Sequence, residues 1–119
     1  MDVEDLEVYK KLFQLAVEVH ELSLSFPRHE LYELGSQLRR SSNACPALLA
    51  EGFGNKHTNI YTEAISRSQG ELRETTHHIR FASKLNYLGS EACDVLGSRY
   101  RECSKMLFGL ENALNSKKR

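Results

Sequence analysis

The sequence predicts a single all-α domain, an antiparallel up-down-up-down four-helix bundle that associates with copies of itself. Its 119 residues suffice for one hydrophobic core but not for two, so we expect one domain over residues 1–119. Four stretches repeat apolar residues at spacings of three and four, and none alternates with the period of two typical of a β-strand. The connections between them are short, which favours antiparallel neighbouring helices.

Composition argues against several classes of protein. The chain is 40% hydrophobic and 27% charged, as in globular proteins, and no apolar stretch is long enough to span a membrane. The acidic N-terminus does not resemble a signal peptide. Cys45, Cys93 and Cys103 match no zinc pattern and cannot all pair within one chain. We therefore expect a cytoplasmic protein with reduced thiols, no membrane partner and no cofactor.

The first predicted helix spans about residues 5–25 and carries two adjacent apolar stripes. One stripe consists of Leu6, Tyr9, Phe13, Ala16 and His20. The other, the predicted oligomer seam, consists of Leu12, Leu15, Val19 and Leu22. Together they cover roughly 200° of the helix, whereas packing on one side of a bundle needs only a little over 100°. We therefore expect the oligomer seam to contact another copy of the chain, and His20 to be buried.

The second predicted helix spans about residues 29–52. It follows Phe26-Pro27, because the residue before a proline is disfavoured in helical geometry. Pro46 removes the helical donor to the carbonyl of Ser42, so we expect a kink or a short break there. Gly52-Phe53-Gly54 is typical of a helix C-terminus.

The third and fourth predicted helices span about residues 58–86 and 90–115, with a turn at Gly89 between them. The apolar stripe of the third helix is interrupted by Ser68 and Thr75. We interpret these small polar residues chiefly as positions of close helix packing; the alternative is that their hydroxyl groups donate to a neighbouring carbonyl.

Neither a metal site nor a catalytic site is predicted. No two of the five histidines are three or four residues apart on a helix, so they do not form a pair of metal ligands. Cys45 and Cys103 lie on apolar stripes, where a thiol usually acts as a small hydrophobic group and not as a nucleophile. The sequence therefore favours a protein that is not an enzyme.

Basic residues suggest a possible nucleic-acid contact. Net charge is zero, yet residues 1–33 hold eight acidic and three basic side chains, so the remainder of the chain is correspondingly basic. For Arg39 and Arg40 we favour a structural ion pair with Glu51, and a phosphate contact is the alternative. The candidate nucleic-acid contacts are Arg39, Arg40, Lys56, Arg99, Arg101, Lys105, Lys117, Lys118 and Arg119.

The chain resembles a bacterial four-helix-bundle family first noticed as open reading frames within intervening sequences of 23S ribosomal RNA genes. The resemblance covers roughly residues 5–88. Its least generic parts are Gln37-Leu38-Arg39-Arg40, Cys45-Pro46-Ala47, Ala50-Glu51-Gly52 and, earlier, Asp5-Leu6-Glu7-Val8-Tyr9. It implies a ring-like homopentamer. It also implies an association with RNA or ribonucleoprotein, through the family's place in ribosomal RNA genes and its distant similarity to the accessory protein of diversity-generating retroelements.

Two functional hypotheses follow. The first is a homo-oligomeric accessory protein associated with RNA or DNA, which the family's genomic position favours. The alternative is a ring-shaped scaffold or adaptor that binds a protein partner and has no nucleic-acid role. Zero net charge and few aromatic residues for base stacking favour the alternative.

Overall fold

The structure is a computed structural model that describes residues 1–117. It confirms an all-α fold with four helices, and no β-strand occurs in the described residues. The four helices are α1 (Glu7–Ser23), α2 (Leu34–Gly52), α3 (Thr58–Lys84) and α4 (Ser90–Ser116). Short 3₁₀ turns occur at Val3–Asp5 and Arg28–Glu30. No helix within residues 1–117 is long and apolar enough to cross a membrane.

The four helices surround one hydrophobic core. Each helix contacts the next one along the chain, and α4 also contacts α1, so the bundle is closed. It is elongated, with principal extents of 50 × 23 × 20 Å. The largest fully buried apolar side chains come from all four helices and are Leu12, Leu15, Leu38, Leu49, Ile65, Ile79, Tyr100 and Leu107.

A line of buried hydroxyl groups joins α2 to α3. The Ser68 hydroxyl donates to the Cys45 carbonyl at 2.9 Å, and Thr75 Oγ1 lies 2.9 Å from Ser41 Oγ. Both α3 residues are fully buried. Ser68 and Thr75 therefore combine close packing with hydrogen bonding. At Ser68 the hydroxyl donates to a carbonyl of the neighbouring helix, which was the alternative interpretation of the sequence.

Helix α2 begins at Leu34, several residues later than the predicted start near residue 29. Residues Arg28–Glu30 form a 3₁₀ turn instead. The Phe26 ring packs against the Tyr87 ring at 5.6 Å, and the Tyr87 hydroxyl donates to the Glu30 carboxylate at 3.0 Å. These contacts with the α3–α4 connection hold the segment outside helical geometry, which local sequence does not reveal.

The path of α2 across Pro46 is continuous. Residues Leu34–Gly52 form one unbroken α-helix with Pro46 inside it, so the predicted short break does not occur, and the kink stays a prediction. The carbonyl of Cys45, next to the proline, is the one that accepts from Ser68 on α3.

Gly52 lies at a close contact between α2 and α3. A Cβ atom added there would overlap the Cβ of Ala64 on α3. Gly54, by contrast, has a positive φ of 66° just beyond the helix, a conformation that glycine adopts at little cost. Of the two glycines in the predicted helix stop, one thus permits helix contact and the other permits the turn.

The Tyr100 hydroxyl is buried and has no hydrogen-bond partner among the described residues. Burial also raises the pKa of Tyr100.

We expect Tyr100→Phe to increase the free energy of unfolding by about 1 kcal/mol, because it removes a buried polar group that has no hydrogen-bond partner. Urea denaturation measures this change. The control Tyr87→Phe, which removes a donor to Glu30, should decrease stability by about 1 kcal/mol. A destabilised Tyr100→Phe variant would show that the hydroxyl has a partner after all.

Candidate functional site

The predicted oligomer seam on α1 faces the core of its own subunit. Leu12 and Val19 are 0% exposed and Leu15 is 1% exposed, while Leu22 is half-buried against the same core. This corrects the assignment made from the sequence. Periodicity identifies two adjacent stripes, but it does not say which stripe the other three helices cover.

A different apolar stripe of α1 is exposed. It consists of Phe13, Val17, His20 and Leu24, at successive spacings of four, three and four residues, and is called here the outer α1 stripe. Phe13 is 52%, Val17 42% and Leu24 59% exposed. His20 is also exposed, which corrects its predicted burial. The stripe borders a groove of about 620 Å³ between α1 and α2, which is lined by Phe13, Ala16, Val17, His20, Glu21, Arg39, Arg40 and Asn43.

Arg39 joins the end of α1 to the following connection. Its Nη1 donates to Ser23 Oγ at 2.8 Å, and its Nη2 donates to the Leu31 carbonyl at 2.6 Å. The guanidinium is thus occupied by neutral acceptors of the α1–α2 connection. Arg39 has a structural role, although with partners other than the predicted Glu51.

Arg40 pairs with α3 and not with Glu51. Its guanidinium donates to both oxygens of Glu71 at 3.3 Å and also binds Glu74. Arg40 holds the pKa of the Glu74 carboxyl below its usual value, assisted by His78. The predicted pair between Glu51 and Arg39 or Arg40 therefore does not form within the subunit, because all three residues lie on α2 and the arginines lie more than two turns from Glu51.

Ion pairs also join α1 to α4. Arg99 donates to both carboxylate oxygens of Glu18 at 2.7 and 2.6 Å, and Lys11 lies 3.0 Å from Glu102. Arg99 accordingly lowers the pKa of Glu18. Because its charge is already neutralised in a bidentate pair, Arg99 is poorly suited to the predicted nucleic-acid contact.

The other candidate cations are exposed but dispersed. Lys56 lies in the α2–α3 connection, Arg101 and Lys105 lie on α4, and Lys117 follows α4. None of these four forms an ion pair with a described residue. Lys118 and Arg119, also predicted as contacts, lie outside the described residues.

Two arginines that the sequence analysis did not select lie together with Arg101. Arg73 and Arg80 of α3 and Arg101 of α4 line a groove of about 330 Å³ between these helices, called here the arginine groove. Arg73 and Arg80 are seven residues apart and directly follow the core residues Leu72 and Ile79. That spacing, which places them on the same side of α3 beside the core stripe, is the signal that could have identified them.

Comparison with known protein families identifies the chain. The family described as 23S rRNA-intervening sequence protein matches residues 4–109. The chain belongs to this family. The match extends from the turn before α1 into α4 and confirms the resemblance seen in the sequence. No curated protein matches the chain closely enough to count as a relative.

Two thiols of this 23S rRNA-intervening sequence protein, those of Cys45 and Cys103, are poorly suited to nucleophilic chemistry. Burial raises the pKa of Cys45 to about 12 and the pKa of Cys103 to about 11. Since the thiolate is the reactive form, both thiols are protonated and unreactive at neutral pH. Within residues 1–117, no group of three or more histidine, cysteine, aspartate or glutamate side chains is placed to hold a metal ion.

Proposed function

We propose that this member of the 23S rRNA-intervening sequence protein family is a non-enzymatic, cytoplasmic bundle. In this proposal it assembles into a ring-like homopentamer and associates with RNA. The outer α1 stripe is the observation that carries the proposal, because it is an apolar helical face that the subunit leaves uncovered. The high pKa values of Cys45 and Cys103 support a non-enzymatic role.

The spacing of the outer α1 stripe supports a helical partner from a second copy. Phe13, Val17, His20 and Leu24 repeat at four, three and four residues, the spacing with which one helix packs along another. Scattered exposed apolar residues need no explanation, but a continuous apolar face commonly marks an interaction surface. On its other sides α1 is already engaged, by the core and by the ion pairs to α4.

We also infer that the four helices run up-down-up-down. The order of contacts supports this inference. As the residue number rises from Ser41 to Cys45 along α2, the residue number of the α3 partner falls from Thr75 to Ser68, so these two helices run antiparallel. The ion pairs Lys11–Glu102 and Glu18–Arg99 show the same opposite order of residue numbers, so α1 and α4 also run antiparallel.

The RNA association is supported by the family's description and by how α3 distributes its charges. Glu71 and Glu74 turn toward Arg40 of α2, whereas Arg73 and Arg80 face the groove toward α4. Acidic groups are therefore neutralised on one side of α3 while guanidinium groups collect on the other. In a ring this basic surface would be repeated in every subunit, which increases the number of phosphates contacted at once.

A protein-binding scaffold ring without a nucleic-acid role is the second candidate. The exposed Val95 and Phe108 on α4, 53% and 54% accessible, favour it. They lie outside the outer α1 stripe and on different sides of α4, so they would offer a partner protein two separate apolar contacts.

The assembly is tested by exchanging two residues of the outer α1 stripe for charges. We expect Phe13→Glu combined with Val17→Glu to convert the oligomer to a monomer, because the contact would have to bury two carboxylates. Light scattering at tens of micromolar protein measures the mass. Circular dichroism should show unchanged helicity, since both side chains are about half exposed in the subunit.

The matched control is Val95→Glu combined with Phe108→Glu, which changes the same residue types at similar exposure on α4. This control should keep the mass of the unmodified protein. A monomeric unmodified protein would refute the assembly itself. An α1 double variant that keeps the full mass would refute the assignment of the contact to the outer α1 stripe.

A further inference from the structure

We propose that the arginine groove between α3 and α4 binds the phosphodiester backbone of single-stranded RNA. The groove supplies three guanidinium groups, from Arg73, Arg80 and Arg101, around a floor that includes Leu72 and Ile79. This inference rests on the RNA association proposed above and names the site and the form of RNA that it takes.

The three arginines approach the groove from both helices. Arg73 and Arg80 are separated by seven residues of α3, which corresponds to roughly 10 Å along the helix axis. Arg101 stands on α4, with its Nη1 over Gly97 and only 3.5 Å from where a Cβ atom would lie there. The Arg101 guanidinium thus lies close to the backbone of Gly97, which also lines the groove. The positive groups are spaced along and across the groove, as an extended anionic chain requires.

These guanidinium groups differ from those of Arg39, Arg40 and Arg99 because they are not occupied. Arg40 and Arg99 are bound by carboxylates, and Arg39 is bound by a hydroxyl and a carbonyl. Arg73, Arg80 and Arg101 make no ion pair and no side-chain hydrogen bond with any residue in the described part of the chain. Their forked donors are free to bind phosphate oxygens in bidentate fashion, without breaking an existing contact.

The lining of the groove favours a single strand over a duplex. Leu72, Ile79 and Cys93 give it an apolar floor, against which an unstacked base can lie while its phosphates contact arginines. A duplex keeps its bases stacked inside and would present only phosphates to this floor. Asp94 is the acidic residue in the lining; its carboxylate can accept a hydrogen bond from a ribose 2′-hydroxyl or from a base amino group.

The test compares two triple variants of the full chain by fluorescence anisotropy, with a fluorescein-labelled single-stranded RNA as probe. The groove variant carries Arg73→Gln, Arg80→Gln and Arg101→Gln. The control variant carries Arg28→Gln, Arg67→Gln and Lys84→Gln, which removes three exposed cations that lie outside the groove lining. Light scattering and circular dichroism confirm that both variants keep the mass and helicity of the unmodified protein.

We expect the groove variant to bind on the order of 100-fold more weakly near 0.1 M salt and to lower the salt-dependence slope by about 2, since each lost phosphate contact contributes about 0.7. The control should weaken binding by less than about threefold, because distant exposed charges are largely screened. A duplex of the same sequence should bind the unmodified protein more weakly than the single strand does.

Several results would overturn the inference. Equal loss in the two variants would indicate a diffuse charge effect, and equal binding of the duplex would remove the preference for a single strand. Full displacement of the probe by inorganic phosphate or by polyglutamate at equal charge would indicate a small-anion site or an acidic-peptide site. If the groove variant binds normally while the unmodified protein binds RNA, this site fails but the proposed function stands. If the unmodified protein binds no RNA, both fail, and the mass from light scattering still decides the assembly.

Discussion

Replacing Leu15 with glutamate is expected to unfold the subunit. Leu15 is 1% exposed among the core residues contributed by all four helices. The substitution removes the packing of a leucine, which typically contributes about 2–5 kcal/mol, and also removes a carboxylate from water into the core, which is costly. Because a domain of this size is stable by only about 5–15 kcal/mol, most of the helicity should be lost. Circular dichroism and urea denaturation measure the effect.

The control is Phe13→Glu, the same introduced residue two positions earlier on α1. Phe13 is half exposed, so its replacement should change the free energy of subunit unfolding by less than about 1 kcal/mol. If Leu15→Glu instead retained the normal denaturation midpoint and only lost its oligomeric state, Leu15 would belong to an interface between copies, and the core described above would be incorrect.

Replacing Gly52 with alanine is expected to cost about 1–3 kcal/mol, as overpacking of a close contact generally does. The added methyl group would overlap Ala64, so α2 and α3 must separate near the end of α2. The hydroxyl contacts between these helices, such as Ser68 with Cys45, lie farther along the same interface and would have to adjust. Thermal or urea denaturation of the full chain measures the loss.

Gly109→Ala provides the matched control for Gly52→Ala. Gly109 also lies within a helix, but an added Cβ meets nothing within 4 Å. Alanine there should increase stability by about 0.5–1 kcal/mol through its better helix propensity. The two identical substitutions are thus expected to have opposite signs. A stabilising Gly52→Ala would contradict the close approach of α2 to α3.

Local pattern was sufficient to predict the helices but not their surroundings. The three- and four-residue spacing of residues such as Ile65, Leu72 and Ile79 predicted both ends of α3 to within two residues. The start of α2 was missed because Phe26 and Glu30 are held by Tyr87, more than fifty residues later. A contact so distant in sequence leaves no local periodicity to detect.

The same limit applies to the candidate site. Two apolar stripes of α1 were predicted from the sequence, although Val17 and Leu24 of the outer α1 stripe belong to neither. The choice between Leu15 as core and Phe13 as surface depends on where the other helices pack. Arg99 could be recognised as a cation, but its neutralisation by Glu18 could not, because the partner lies on another helix. Arg73 and Arg80 form a site only when α4 brings Arg101 beside them.

The contacts of Arg39 bear on how readily copies of the chain can associate. The hydrogen bonds from Arg39 to Ser23 and to Leu31 join the last turn of α1 to the connection that follows it. They fix the last turn of α1, where a helix would otherwise fray, and with it the end of the apolar face that carries Leu24. In the proposed assembly, a neighbouring copy would therefore meet a preorganised surface, and association would not have to overcome the entropy of ordering it.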